Sequence, residues 1–307
     1  MSNLVLSVRK ALNKIIVGTS RIFYSFDKNI SGVKKSRVTN VPNYEKDINF
    51  QIFYPTNFAE KKLPTLYYFH GGGWIEYDKT IYNTLCKRFA KMGNIVVNVD
   101  YPLAPKYKMQ ELLEGCINII NFAQCITKEQ FNADNDIIIG GDSAGAQIAG
   151  LFGGLEATGK FGDLFNEYTL PKISSLLLFY GVYDFENVLE TKFPSIELML
   201  DAVFNKDNKK EEYYKYSPIN YINKNFPPCF IASGERDKLH KLQTVQFVKK
   251  LEEAGAKSKV VYFDKSEIFG LHGFMAFDDF STNKKVRVAV KEFLSERTKE
   301  ENANELI

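Results

Sequence analysis

The most constraining stretch of this 307-residue chain is Gly141-Asp142-Ser143-Ala144-Gly145, which follows the apolar run Ile137-Ile138-Ile139 and opens a small-residue segment reaching about Leu155. The pattern reads as a strand, a tight turn and a helix. A serine at a sharp strand-to-helix turn sits in strained backbone with its hydroxyl exposed, and glycines on either side let the turn close. The helix behind it directs unpaired N–H groups and a positive dipole end to where negative charge would develop during attack on a carbonyl. Ser143 is therefore the candidate nucleophile, with Gly141, Asp142 and Gly145 as its supports. A five-residue match of this kind also arises by chance, so the surrounding chain has to supply the rest of the chemistry.

A second glycine-rich turn lies upstream. The predicted strand Leu66-Tyr67-Tyr68-Phe69 ends in His70-Gly71-Gly72-Gly73-Trp74, where three glycines allow backbone N–H groups to face a ligand with no Cβ in the way. The rival reading, a phosphate-binding loop, lacks the lysine and hydroxyl that follow such a loop, and no G-x-G-x-x-G spacing occurs.

A neutral serine needs a base of near-neutral pKa and a third group to orient it. The chain has three histidines. His70 belongs to the glycine loop and His240 opens a predicted helix, which leaves His272, on a loop between the last predicted strand and the final helix, as the base. The orienting carboxylate is expected from a strand end between Ser143 and His272, and Asp237, after the strand Cys229–Ala232, fits. Its competitors are Glu235, too near the strand end, and Asp264, beside Lys265 in a charged pair.

The rest of the chain reads as one α/β unit. Alternation over Ile48, Phe50, Ile52 and Tyr54 suggests opening strands. From there strands and helices alternate: helix 80–92, strand 95–99, helix 109–126, an Asn/Asp turn at 132–136, strand 137–139, strand 176–180, strand 229–232, helix 241–254, strand 260–263 and helix 284–297. Such alternation implies a mostly parallel sheet covered on both faces. The stretch from Asp184 to about Asn225 breaks the rhythm, and apolar residues within it (Phe193, Leu198, Leu200, Val203, Phe204) suggest a lid over a ligand crevice. Residues 4–16 space Leu4, Val8, Leu12 and Ile16 as an amphipathic helix. No repeat or linker divides the chain, so residues 1–307 are expected to form a single domain.

Composition narrows the partners. With 40 Lys plus Arg against 37 Asp plus Glu, net +3 and no dense basic block, nucleic acid is not implied. No apolar stretch approaches the ~18 residues of a membrane span, so no stable membrane insertion and a cytoplasmic location are expected. Cys86, Cys116, Cys125 and Cys229 lack metal-type spacing and read as reduced, buried residues; no metal and no organic cofactor are expected.

Taken together, His70–Trp74, Asp100-Tyr101-Pro102-Leu103-Ala104-Pro105, Gly141–Gly145, Asp237 and His272-Gly273-Phe274 run in an order that resembles the hormone-sensitive-lipase-like esterase family of the α/β-hydrolase fold. The resemblance implies a mostly parallel, eight-stranded sheet flanked by helices, with a helical cap built from about residues 1–35 and the 184–225 insertion. It departs from the family at Pro102, where an arginine that could pair with Asp100 is usual, and after Asp237, where a proline is usual. The implied activity is carboxylic-ester hydrolysis on short-chain acyl or small aryl esters: Ser143 attacks, His272 moves the proton, Asp237 holds the imidazole, and N–H groups of Gly71, Gly72 and Ala144 receive the oxyanion. The same triad would serve an amide or formamide hydrolase. A catalytically silent ligand-binding homologue is the reading from another class, and a homodimer is compatible with all three.

Overall fold

The computed structural model of the chain describes Ser7 and residues 26–59, 62–205, 207 and 209–304, with side chains as far as Arg297. The amphipathic helix expected over 4–16 lies, Ser7 apart, outside the described residues. In chain order the elements are β1 (Val33–Lys35), β2 (Thr39–Asn40), β3 (Asn49–Pro55), β4 (Leu63–Phe69), α1 (Asn83–Lys91), β5 (Ile95–Asp100), α2 (Met109–Phe131), β6 (Ala133–Asp142) and α3 (Ala144–Thr158). They continue with α4 (Phe161–Leu164), β7 (Ile173–Phe179), α5 (Ile196–Val203), α6 (Lys209–Tyr216), β8 (Cys229–Gly234), α7 (Val245–Ala254), β9 (Ser258–Phe263) and α8 (Ser281–Asn304).

The sheet runs β1-β3-β5-β4-β6-β7-β8-β9, with the short β2 paired to β3 off this path. From β5 to β9 neighbours are parallel, whereas β3 pairs antiparallel with β5, and β1 with β3. The expected eight strands are the path, and β2 is a ninth. Continuous apolar strands arise because both faces are covered. Tyr67, Phe69, Ile137, Ile139, Leu176 and Leu178 face the core that includes α2 and α3. Their alternates Leu66, Tyr68, Ile138, Leu177 and Phe179 face the core of α1 and α8. The chain leaves β4 for β5 on one side and returns to β6 on the other, which opens a crevice at the carboxyl ends of β4 and β6.

Several expectations need correction. Residues 133–136 belong to β6 rather than to a turn: only Asn132 turns, in left-handed backbone at φ 51°, and the strand enters through a register shift opposite Leu63–Thr65. Its polar, exposed start had masked it. Residues 33–35 are the sheet's edge strand rather than part of a cap, because Val33–Lys35 hydrogen-bonds along β3. The 184–225 insertion carries α5 and α6, with Met199, Leu200, Val203 and Phe204 buried. Cys125 is exposed, on the outer face of α2, while the other three cysteines are buried, and all four are free. Asp100 does have an ion pair, to Lys79 Nζ at 2.5 Å, and Pro102 packs instead on Gly115, whose added Cβ would lie 2.3 Å from its ring.

Candidate active site

Ser143 sits between β6 and α3 with φ 51° and ψ −112°, a conformation costly for any residue with a Cβ. The surroundings enforce it. A Cβ on Gly145 would fall 1.9 Å from the carbonyl oxygen of Phe69, and one on Gly141 would fall 2.5 Å from the same oxygen, so both positions must be glycine for the turn to pass the end of β4. The Ser143 N–H donates to the Phe179 carbonyl at 2.9 Å, which ties the turn to the end of β7 as well.

His272 Nε2 lies 2.9 Å from Ser143 Oγ, and His272 Nδ1 lies 2.7 Å from Asp237 Oδ2. Asp237 is nearly fully enclosed, and its other oxygen accepts the Leu239 N–H at 2.9 Å, which fixes the carboxylate. Burial by itself would lower the His272 pKa, but the charge and hydrogen bond of Asp237, with a further contribution from the charge of Asp142, outweigh it and raise it. The imidazole is edged by Tyr180 (4.9 Å between ring centroids) and by Phe193 of the insertion (4.6 Å). Glu235 points into solvent, and Asp264 accepts from the backbone and hydroxyl of Ser266. His240 hydrogen-bonds Ser233 at 2.7 Å, away from the cavity, and burial depresses its pKa.

The glycine loop lies alongside. His70 Nδ1 donates to the Gly71 carbonyl at 2.6 Å while its ring stacks on Tyr101, whose hydroxyl donates to the His70 carbonyl. Gly72 and Gly73 adopt φ 118° and 58°, and Trp74 is buried with φ 62°, its Nε1 donating to Gln147 of α3. Gln147 in turn donates to the Tyr216 carbonyl of the insertion. One expectation fails here: the Gly71 N–H points inward and donates to Asp142 Oδ1 at 3.0 Å, so it does not face Ser143. Gly72 and Gly73, by contrast, line a cavity of about 90 Å³ together with Ser143 and His272. Ala144 begins α3, where its N–H has no preceding helical carbonyl to bond.

The structure thus brings together Ser143, Asp237, His272, Gly72, Ala144 and the supports His70, Gly73, Trp74, Gly141, Asp142 and Gly145, and turns Gly71 away. Phe193, expected in the lid, walls the cavity, and the structure adds Ile196 and Met199 of the insertion, with Val182 and Leu239, which the sequence reading had not singled out. Tyr68 and Tyr82 donate to Asp142 from beneath, and neither has a local signature because each sits in an ordinary apolar pattern. Among the described residues, no group of three His, Cys, Asp or Glu side chains could hold a metal ion, and no helix is long and apolar enough to cross a membrane.

The chain has relatives in sequence and in fold. The acetyl esterase of Salmonella paratyphi A is 25% identical over 239 residues, covering 73% of this chain and 71% of that protein. The acetyl esterase of Salmonella choleraesuis matches over the same shares, also at 25% identity. Esterase B of Lactobacillus rhamnosis superposes with a TM-score of 0.86 at 16% identity, over 99% of both chains. An esterase of Pyrobaculum calidifontis superposes with a TM-score of 0.70 at 19% identity, over 97% of this chain and 92% of that one. At such identities the superpositions speak for the fold. A sequence model of the alpha/beta hydrolase fold matches residues 66–276, more than half the chain, running from β4 through the loop that carries His272. This chain belongs to the α/β-hydrolase fold family.

Proposed function

We propose that the protein is a serine carboxylesterase acting on small esters with short acyl chains. The observation that carries this reading is the unbroken hydrogen-bond chain Asp237–His272–Ser143 opening onto a small, apolar-walled cavity. Ser143 Oγ attacks the acyl carbon as His272 Nε2 takes its proton, and Asp237 stabilises the imidazolium that forms. The tetrahedral oxyanion receives N–H groups from Ala144 and from Gly72 and Gly73. Each such donor is worth on the order of 3 kcal/mol in the transition state. Collapse breaks the ester C–O bond, the alcohol leaves with the proton from His272, and water repeats the sequence to free the acid and Ser143. Nucleophile, base and electrophilic site all come from the chain itself.

The acyl range follows from the cavity. At about 90 Å³ it is smaller than the roughly 150 Å³ apolar cavity that holds a benzene ring, so a few carbons fill it. Two relatives are named acetyl esterases, and esterase B of Lactobacillus rhamnosis is described with a tributyrin phosphonate, which agrees with short acyl groups.

The test is reaction with a fluorophosphonate probe, followed by nitrophenyl esters of increasing acyl length. Stoichiometric labelling lost in Ser143→Ala, with kcat/KM highest at roughly two to six acyl carbons, is expected. Labelling that survives the substitution, or a rate still rising at long chains, would sink the proposal.

A further inference from the structure

The carboxylate of Asp142 is fully enclosed directly behind the nucleophile, where three donors meet it. Oδ1 accepts the Gly71 N–H at 3.0 Å and the Tyr68 hydroxyl at 3.1 Å; Oδ2 accepts the Tyr82 hydroxyl at 2.7 Å. Three different elements converge here: β4 supplies Tyr68, the turn before α1 supplies Tyr82, and the glycine loop supplies Gly71. A carboxylate only accepts, so three donors fit its ionised form. An isolated buried charge would be prohibitive, whereas one met by this many hydrogen bonds is tolerable.

His70 holds the Gly71 carbonyl and the Gly72 carbonyl accepts the N–H groups of Ile75 and Glu76, while Asp142 holds the Gly71 N–H. Glycines at 71, 72 and 73 have the widest conformational choice of any residues, and two of them adopt positive φ. Fixing the Gly71 peptide fixes the direction of the following N–H groups. The contact is close: a Cβ on Gly71 would lie 2.5 Å from Asp142 Oδ2, so backbone and carboxylate touch.

We infer that Asp142 is a positioning residue, which orders the oxyanion-binding loop by accepting the Gly71 N–H, and that Tyr68 and Tyr82 hold its carboxylate in place for that task. The inference rests on the esterase reading above and assigns a purpose to the acidic residue of the elbow that the triad does not use. Misaligned oxyanion donors weaken transition-state binding more than substrate binding, so the loss belongs in kcat.

Titratable groups around Asp142 are Tyr68, Tyr82, Tyr101, Tyr180, Cys86, His70 and His272. Burial raises the Asp142 pKa, and the two tyrosine hydrogen bonds, with His70 and His272, pull it partly back. Tyr82→Phe removes one of the donors that hold the carboxylate, so it loosens the contact with the Gly71 N–H and costs less than Asp142→Ala. Asp142→Asn removes a negative charge that helps raise the His272 pKa, so it moves the acid limb of activity to lower pH.

The experiment measures fluorophosphonate labelling rates and pH profiles of kcat and KM for wild type, Asp142→Ala, Asp142→Asn and Tyr82→Phe. Asp142→Ala is expected to lose roughly tenfold to a hundredfold in kcat and in labelling rate with KM within about threefold, and Asp142→Asn to retain more because its carbonyl can still accept from Gly71. The acid limb is expected at lower pH in Asp142→Asn, and the kcat loss in Tyr82→Phe is expected to be smaller than in Asp142→Ala. If wild type labels at Ser143 while Asp142→Ala labels equally fast, or if the loss falls on KM rather than on kcat, the inference fails although the esterase reading stands. If wild type does not label, the esterase reading itself fails. Should Asp142→Ala not fold, Tyr82→Phe and Asp142→Asn carry the test.

Discussion

A serine hydroxyl is a poor nucleophile at neutral pH, so the activity proposed for Ser143 depends on the protonation state of His272. Burial opposes the imidazolium, but the Asp237 carboxylate at 2.7 Å, with help from Asp142, reverses the sign and leaves the pKa raised. Only the neutral imidazole accepts the serine proton. Activity should accordingly fall as pH drops through a value above the ~6.5 of free histidine. In kcat/KM against pH, Asp237→Asn should move that acid limb downward and cost about 10⁴-fold in kcat, because the imidazole loses both its charge partner and its required tautomer. His240→Ala should change neither, since that ring bonds Ser233 outside the cavity. A wild-type limb at or below 6.5, or equal losses at His240 and His272, would mean that the base is misassigned.

At the scale of elements, the elbow and the insertion divide the work. The elbow is rigid by exclusion: β4 and α3 approach so closely that glycines at 141 and 145 are obligatory, and this crowding holds Ser143 in its strained conformation. The insertion sets the space above it. Met199 of α5 reaches the glycine loop, where a Cβ on Gly73 would sit 2.4 Å from its sulfur. Phe193 and Ile196 complete that wall. Shortening Met199 to alanine should lengthen the preferred acyl chain by a carbon or more. Each methylene newly admitted gains ~0.8 kcal/mol, about fourfold in kcat/KM. A nitrophenyl ester series, normalised to titrated active sites, reads this directly; an unchanged optimum would place the acyl wall elsewhere.

For the molecule as a whole, one carboxylate gathers parts of the chain far apart in sequence. Asp278, after the His272 loop, meets Arg88 of α1 through two bonds of 3.0 and 2.9 Å, Arg287 of α8 at 2.8 Å and Lys28 at 3.2 Å. Burial would raise its pKa, but the hydrogen bond from Arg88 and the charges of Arg287 and Arg88 lower it. A depressed folded-state pKa contributes stability that is full above the ordinary aspartate value of ~3.9 and is lost as pH falls through the folded value. Asp278→Asn should then destabilise by roughly 3 kcal/mol at pH 7, where it leaves three cations facing a neutral group, and by progressively less in acid. Urea titrations at several pH values provide the check; a penalty independent of pH would assign the effect to packing rather than to charge.

The sequence by itself determined the alternating architecture and pointed to Ser143, His272 and Asp237, which the fold joins in one chain of hydrogen bonds. These are written in local chemistry: apolar runs too continuous for a half-exposed sheet, and glycines that only a turn or a close approach can use. It missed the start of β6, whose Asp134, Asn135 and Asp136 look like a turn because that end is solvated. Within the expected helical insertion it set no bounds for α5 and α6, whose polar faces dilute a signal that exists only against the cavity. Which glycine N–H faces the substrate side was beyond its reach. Gly71, Gly72 and Gly73 are identical as letters, and only the placement of Asp142, Tyr68 and Tyr82 around the first of them turns it inward and leaves the other two lining the site. That choice belongs to the tertiary structure, because a buried carboxylate must satisfy its acceptors from whatever donors the folded chain brings within reach.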